Sequence, residues 1–129
     1  MSGKFLLDTN IIIALFAKER KVLQKLQSAE KLFLSSIAVG ELLYGAHKST
    51  QARSNVARIE EFAAANSVLV CDLETARHYG RIKDRLHRKG RPLPENDIWI
   101  AALARQYGLT LVSRDAHFAE VENLPVKAW

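Results

Sequence analysis

KFLLDTNIIIALF, residues 4–16, is a short apolar run that ends on an aspartate and then changes its period. Lys4 to Leu7 has the length and apolar content of a buried strand. Asp8 ends it, and Thr9 or Asn10 can cap a helix through the Ile-rich segment to about Phe16. Working outward, the same unit recurs. Leu32 to Leu34 reads as a second strand, with Ser35 and Ser36 as N-cap candidates for a helix over Ile37 to Lys48. Ser67 to Cys71 reads as a third, followed by Asp72 and a basic amphipathic helix from about Glu74 to Lys89. Leu109 to Val112 reads as a fourth, with Asp115 just beyond, then a helical turn around Ala116 to Ala119 and a small edge strand at Leu124 to Val126.

Between these units, residues 19–28 place Val22, Leu23 and Leu26 on one helical face, and residues 51–66 carry Val56, Ile59, Phe62 and Ala63 at helical spacing. GRPLPEND, residues 90–97, is the clearest break. Pro94 and Glu95 open a helix through Ile98, Ile100, Ala101, Leu103 and Ala104 that closes near Gly108. Short apolar strands separated by helices predict an α/β fold with a parallel sheet covered on both faces. Crossovers are expected to be right-handed, and the site to lie at the carboxyl ends of the strands. Asp8, Ser35, Asp72 and Asp115 all fall there.

The chain has 129 residues, enough for one domain over 1–129, and shows no linker or repeat. Its 48% hydrophobic content excludes a disordered chain, and no apolar run approaches the roughly 20 residues that span a bilayer. An Asp at position 8 interrupts the stretch where a secretory signal would still be apolar, so a cytoplasmic protein without membrane contact is expected. The single cysteine, Cys71, rules out an intrachain disulfide, and its apolar neighbours predict a buried thiol. A formal net charge of +5 favours polyanionic partners.

Asp8, Glu41, Asp97 and Asp115 stand in segments otherwise dominated by apolar residues. An unpaired carboxylate is costly to desolvate, so several at strand ends need compensating positive charge. Lys and Arg are absent from the immediate flanks of Asp8, Glu41 and Asp97, which leaves a divalent cation as the simplest compensator. Oxygen ligands without Cys or His select Mg2+ or Mn2+ over Zn2+. Such a site suits phosphodiester hydrolysis, where the metal lowers the pKa of water and shields the anionic transition state. Thr9 and Asn10 are candidates to orient water or the scissile phosphate, and Ser36 joins them as a substrate-binding candidate.

Each residue also has a plainer reading. Asp8 can serve only as an N-cap, and Glu41 can pair with His47 or Lys48 or face solvent. Asp97 and Glu95 suit a helix start, while Asp115 and Asp72 suit caps. The four histidines show no paired ligand spacing and read as surface or packing residues. Trp99 and Tyr44 read as core or interface. The segment Arg77, Arg81, Lys83, Arg85, Arg88, Lys89 and Arg91 is either a solvated helix face or a track for an RNA backbone. Two rival functions remain open. A flavodoxin-like phosphoacceptor domain would want paired acids after strand 1 and a Lys after the last strand, which are missing here. A non-catalytic RNA-binding module would keep the basic surface without needing the acids.

LLDTNIII at 6–13, SSIAVGELLYGAHKS at 35–49, GRPLPENDIWIAALA at 90–104 and LTLVSRD at 109–115 resemble, in this order, the PIN-domain nucleases. More narrowly they resemble the VapC toxins of type II (VapBC) toxin–antitoxin modules. The resemblance implies a three-layer α/β/α sandwich around a parallel sheet of four to five short strands. It implies a metal-dependent endoribonuclease that inhibits translation by cutting structured RNA. Asp8, Glu41 and Asp97 take the positions of the three shared acidic residues, with Asp8 and Asp97 as principal metal ligands and Glu41 binding directly or through water. Asp115 stands near a more variable fourth position. The resemblance further implies a VapB-type antitoxin that wraps the toxin, a homodimer, a hetero-oligomer with the antitoxin, and operator DNA bound only through that antitoxin. Implied substrates are chiefly tRNAs, and GRPLPENDIWIA looks like the enterobacterial-type toxins that cut initiator tRNA.

Overall fold

The structure, a computed structural model, describes residues 3–129. Its elements run β1 (Lys4–Leu7), α1 (Thr9–Phe16), α2 (Arg20–Gln27), β2 (Lys31–Ser35), α3 (Ser36–Lys48), α4 (Ala52–Ala64), β3 (Ser67–Leu69), α5 (Leu73–Lys89), α6 (Glu95–Tyr107), β4 (Thr110–Val112), a 3-10 turn (Ala116–Glu120) and β5 (Val126–Lys127). Five parallel strands form one sheet in the order β3-β2-β1-β4-β5.

Alternation along the strands divides the core in two. Leu6 and Leu111 point to one face, where α5 and α6 supply Ile82, Leu86, Ile98, Ile100 and Leu103. Phe5, Leu7 and Val112 point to the other, where α1 to α4 supply Ile11, Ile12, Val22, Ala38, Leu42 and Ile59. The result is a three-layer α/β/α sandwich. The chain progresses outward from β1 to β3 and then returns to β1's other edge as β4. That reversal makes the crevice beyond the carboxyl ends of β1 and β4 the natural site. The order also differs from the 2-1-3-4-5 order of flavodoxin-like domains, which removes the fold basis of the phosphoacceptor alternative.

Helix ends follow the sequence closely. Ser35 Oγ accepts the Ala38 N–H at 2.9 Å, and Asp72 with Thr75 forms a capping box at α5. Gly90 and Gly108 sit at φ 68° and 65° after α5 and α6. The N–H of Arg91 reaches Leu86 and that of Leu109 reaches Ala104, as helix-terminating left-handed residues require.

Four local expectations need correction. Asp8, not Thr9 or Asn10, is the N-cap of α1. The third strand stops at Leu69, because it pairs only with β2 at the sheet edge, and the chain leaves the ladder before Val70. Cys71 is therefore exposed, not buried. Partial desolvation and the adjacent Asp72 carboxylate push its thiol pKa up, so it is not an activated nucleophile. The edge strand is Val126–Lys127, not Leu124 to Val126, since its register is set by pairing with Leu111 and Val112.

Candidate metal centre and active site

The backbone first brings distant carboxylates together. The Asp8 N–H donates to Val112 O at 2.9 Å, which locks the end of β1 to the end of β4. Asp8 is 3% exposed. One carboxylate oxygen accepts the Thr9 N–H at 2.9 Å and the other accepts the Ser113 hydroxyl at 2.7 Å. Both readings of this residue hold at once, since it caps α1 and faces a cleft.

That cleft has a volume of about 640 Å³ and is lined by Asp8, Thr9, Asn10, Ile13, Glu41, Pro94, Glu95, Asn96, Asp97 and Asp115. Its lining holds five carboxylates and neither Lys nor Arg. Arg114, next to Asp115 in sequence, is drawn away from the cleft by Glu19, whose two oxygens lie 2.8 and 3.3 Å from its guanidinium nitrogens. Glu95 is neutralised by Lys83 at 2.8 Å and also accepts the Tyr79 hydroxyl. Asp8, Glu41, Asp97 and Asp115 are left without a Lys or Arg partner among the described residues.

Two of the acids carry the cost of that arrangement. Burial raises the pKa of Asp8, helped by the Asp115 and Glu41 charges and opposed by its bonds from Ser113 and Thr9. Burial likewise raises the pKa of Asp97, with the Asp8 charge adding to it and His117 opposing it. Each folded-state pKa lies above the unfolded one. Their stabilising contribution is therefore full below the unfolded pKa and is lost as pH rises through the raised folded value. Metal-free protein should lose stability from this pair as pH climbs above about 4. A divalent cation at neutral pH should reverse the loss, adding about 2.7 kcal/mol at a hundred times its Kd. Thermal melts across pH with EDTA or Mn2+ check this; a melting temperature indifferent to both would contradict it.

The remaining side chains hold the acids in place. Glu41 does not pair with His47 or Lys48. Its two oxygens accept the Thr9 hydroxyl at 2.6 Å and the Asn96 amide at 3.2 Å. Thr9, expected as a substrate contact, thus acts first as a positioner of Glu41. Asn10 donates to Ser113 and Asp115, both at 3.4 Å, and accepts the Arg114 N–H at 3.2 Å. Ser36 is exposed on the first turn of α3 and is not part of the cleft lining.

His117 was not legible as a site residue. Its Nε2 is buried 2.8 Å from Asp97 Oδ2, without a well-directed hydrogen bond. Ligand atoms of Asp97, Asp115 and His117 lie within 4.8 Å of one another. The one sequence signal was its place two residues after Asp115, a spacing that has meaning only once the turn Ala116–Glu120 folds back over α6. Asn96 and Ser113 were missed because the acids they hold, Glu41 and Asp8, are distant in the chain and meet them only through the packing of α6 near α3 and the pairing of β1 with β4.

The PIN domain family model matches residues 5–124. The chain belongs to the PIN-domain family. It is 42% identical over 131 residues to a ribonuclease VapC2 of Haemophilus influenzae, covering 98% of both chains. It is 38% identical over 129 residues, again covering 98% of both, to a tRNA(fMet)-specific endonuclease VapC of Shigella flexneri. The crystal structure of DNA-bound VapBC from Salmonella typhimurium superposes with a TM-score of 0.89 at 33% identity over 98% of each chain. PIN-domain nucleases use divalent metal, and the acidic cluster of this PIN domain is able to hold one.

Proposed function

We propose that this PIN-domain protein, read as one domain over residues 1–129, is a Mg2+- or Mn2+-dependent endoribonuclease and the toxin of a VapBC-type pair. The observation that carries the reading is the uncompensated carboxylate cleft at the junction of β1 and β4, in a chain that matches VapC ribonucleases along its length. Asp8 and Asp97 serve as the principal metal ligands, with Asp115 and His117 beside them and Glu41 binding directly or through water. The donor set fits, since hard oxygens dominate and one imidazole suits Mn2+ as well. A divalent cation held there supplies a low-pKa water and shields the phosphate charge. The protein's own share is orientation. Ser113 and the Thr9 N–H aim Asp8, Thr9 and Asn96 aim Glu41, and Asn10 links Asp115 to Ser113. Ile13 and Pro94 are exposed on the cleft lining and leave an RNA strand access to the acids.

The substrate is a structured RNA, and the relative from Shigella flexneri, named for tRNA(fMet), supports initiator tRNA. The partner is a cognate antitoxin in the cytoplasm, supported by the VapBC complexes among the structural relatives, through which operator DNA would be bound. An apolar groove lined by Ile13, Phe16, Leu42 and Ile59 opens off the acidic cleft at Thr9, Ile13 and Glu41, where an antitoxin segment could enter. A homodimer of toxin completes the assembly.

Purified protein should cut initiator tRNA at one position in a panel of purified tRNAs. EDTA should stop the reaction, and Mg2+ or Mn2+ should restore it. Sequencing of RNA 5′ ends after brief induction would place the cut in cells. Cleavage that survives chelation would remove the metal role, and an uncut initiator tRNA would remove that substrate.

A further inference from the structure

A second cavity, of about 330 Å³, lies between α5, the end of α6 and residues 120–123. It shares no lining residue with the acidic cleft. Its apolar walls are Ile82, Leu86 and Val121, all buried. Three carboxylates stand at its rim, and each has its own cation. Asp84 pairs with Arg88 at 3.1 Å, Glu122 with Arg85 at 2.9 Å, and Glu120 with Lys89 at 3.5 Å.

Two further guanidiniums line the same cavity, those of Arg81 and Arg105. Among the described residues neither has a carboxylate within 4 Å or a hydrogen-bond partner. Arg105 is half-buried near the C-terminus of α6, where the helix dipole offsets part of its charge. Arg81 lies mid-helix and has no such help. Arg81 is exposed and Arg105 half-buried, so both guanidiniums can meet an anion that enters the cavity from solvent. Two forked donors on an apolar-walled cavity suit one tetrahedral oxyanion.

We propose that this cavity is a phosphate-binding subsite, in which Arg81 and Arg105 grip a backbone phosphate of the RNA strand outside the acidic cleft. The RNA half of the proposal rests on the ribonuclease reading. It also divides the basic segment of α5 into two parts. Arg77, Lys83, Arg85, Arg88 and Lys89 are engaged with carboxylates. Arg81 is the member turned to a ligand.

Binding of fluorescent bulk tRNA by the full chain, measured in EDTA over roughly 50 to 200 mM salt, tests it. Arg81→Gln/Arg105→Gln should lower the slope of log affinity against log salt by about 1, with an unchanged melting temperature. Arg81→Lys/Arg105→Lys should keep the slope but bind more weakly, because Lys has the charge without the fork. Arg77→Gln, whose charge is already paired with Glu74 outside the cavity, should stay near wild type. A slope unaltered in the Gln pair would overturn the proposal. So would inorganic phosphate binding at these arginines without any change in tRNA slope, which would mark a small-anion pocket. Loss of antitoxin binding with the slope intact would assign the cavity to an acidic peptide instead. Wild type that cuts no RNA with Mn2+ present would sink the ribonuclease reading alone, since the slope is measured without metal.

Discussion

Asp8→Asn combined with Asp97→Asn should lower RNA cleavage by about 1000-fold or more, since it removes ligands worth several kcal/mol of transition-state charge stabilisation. Growth inhibition on induction should vanish with it. The fold should survive. Both groups have pKa values raised mainly by burial, so their charged forms oppose folding and a neutral amide of the same shape relieves that cost. Asn keeps an oxygen for the Thr9 N–H, and its NH2 group can donate to Ser113 Oγ once that hydroxyl turns, whereas Ala would strand both groups. The metal-free double variant should therefore melt no lower than wild type and should gain nothing from added Mn2+. Cleavage assays, growth curves and melts with and without Mn2+ read all three effects. Retained toxicity with cleavage lost would favour an RNA-binding module over an enzyme.

Phe118→Ala should cost about 3–5 kcal/mol, a large share of a typical domain's 5–15. The ring is fully buried among Ile82, Leu86, Leu111 and Val121, and only a cavity would replace it. The effect reaches the site because Phe118 anchors the 3-10 turn Ala116–Glu120, which follows Asp115 and carries His117, whose ring centroid lies 4.8 Å from its own. Urea titration should show a lower midpoint with an unchanged slope, and the stabilisation by Mn2+ should shrink with it. Phe118→Leu, which leaves a smaller void, should lose much less of both. A Phe118→Ala protein as stable as wild type would mean that this turn is not packed as described.

Much of the molecule follows from residues near one another in the chain. Each strand-to-helix unit announces itself by apolar run, polar cap and change of period, so Lys4–Leu7, Ser36–Lys48, Leu73–Lys89 and Glu95–Tyr107 emerge within a residue or two. The acids stood out because carboxylates in apolar company need a reason to be there. Local pattern says nothing about which strands are neighbours. Only the pairing of β1 with β4 places Asp8 against Ser113, 105 residues away, and joins Asp115 to the same cleft. Only the return of residues 116–120 over α6 brings His117 to Asp97. Cys71 and the basic face of α5 were misjudged or undecided for the same reason. Exposure at a sheet edge and ion pairing across elements depend on what packs alongside, and no short window of sequence contains that partner.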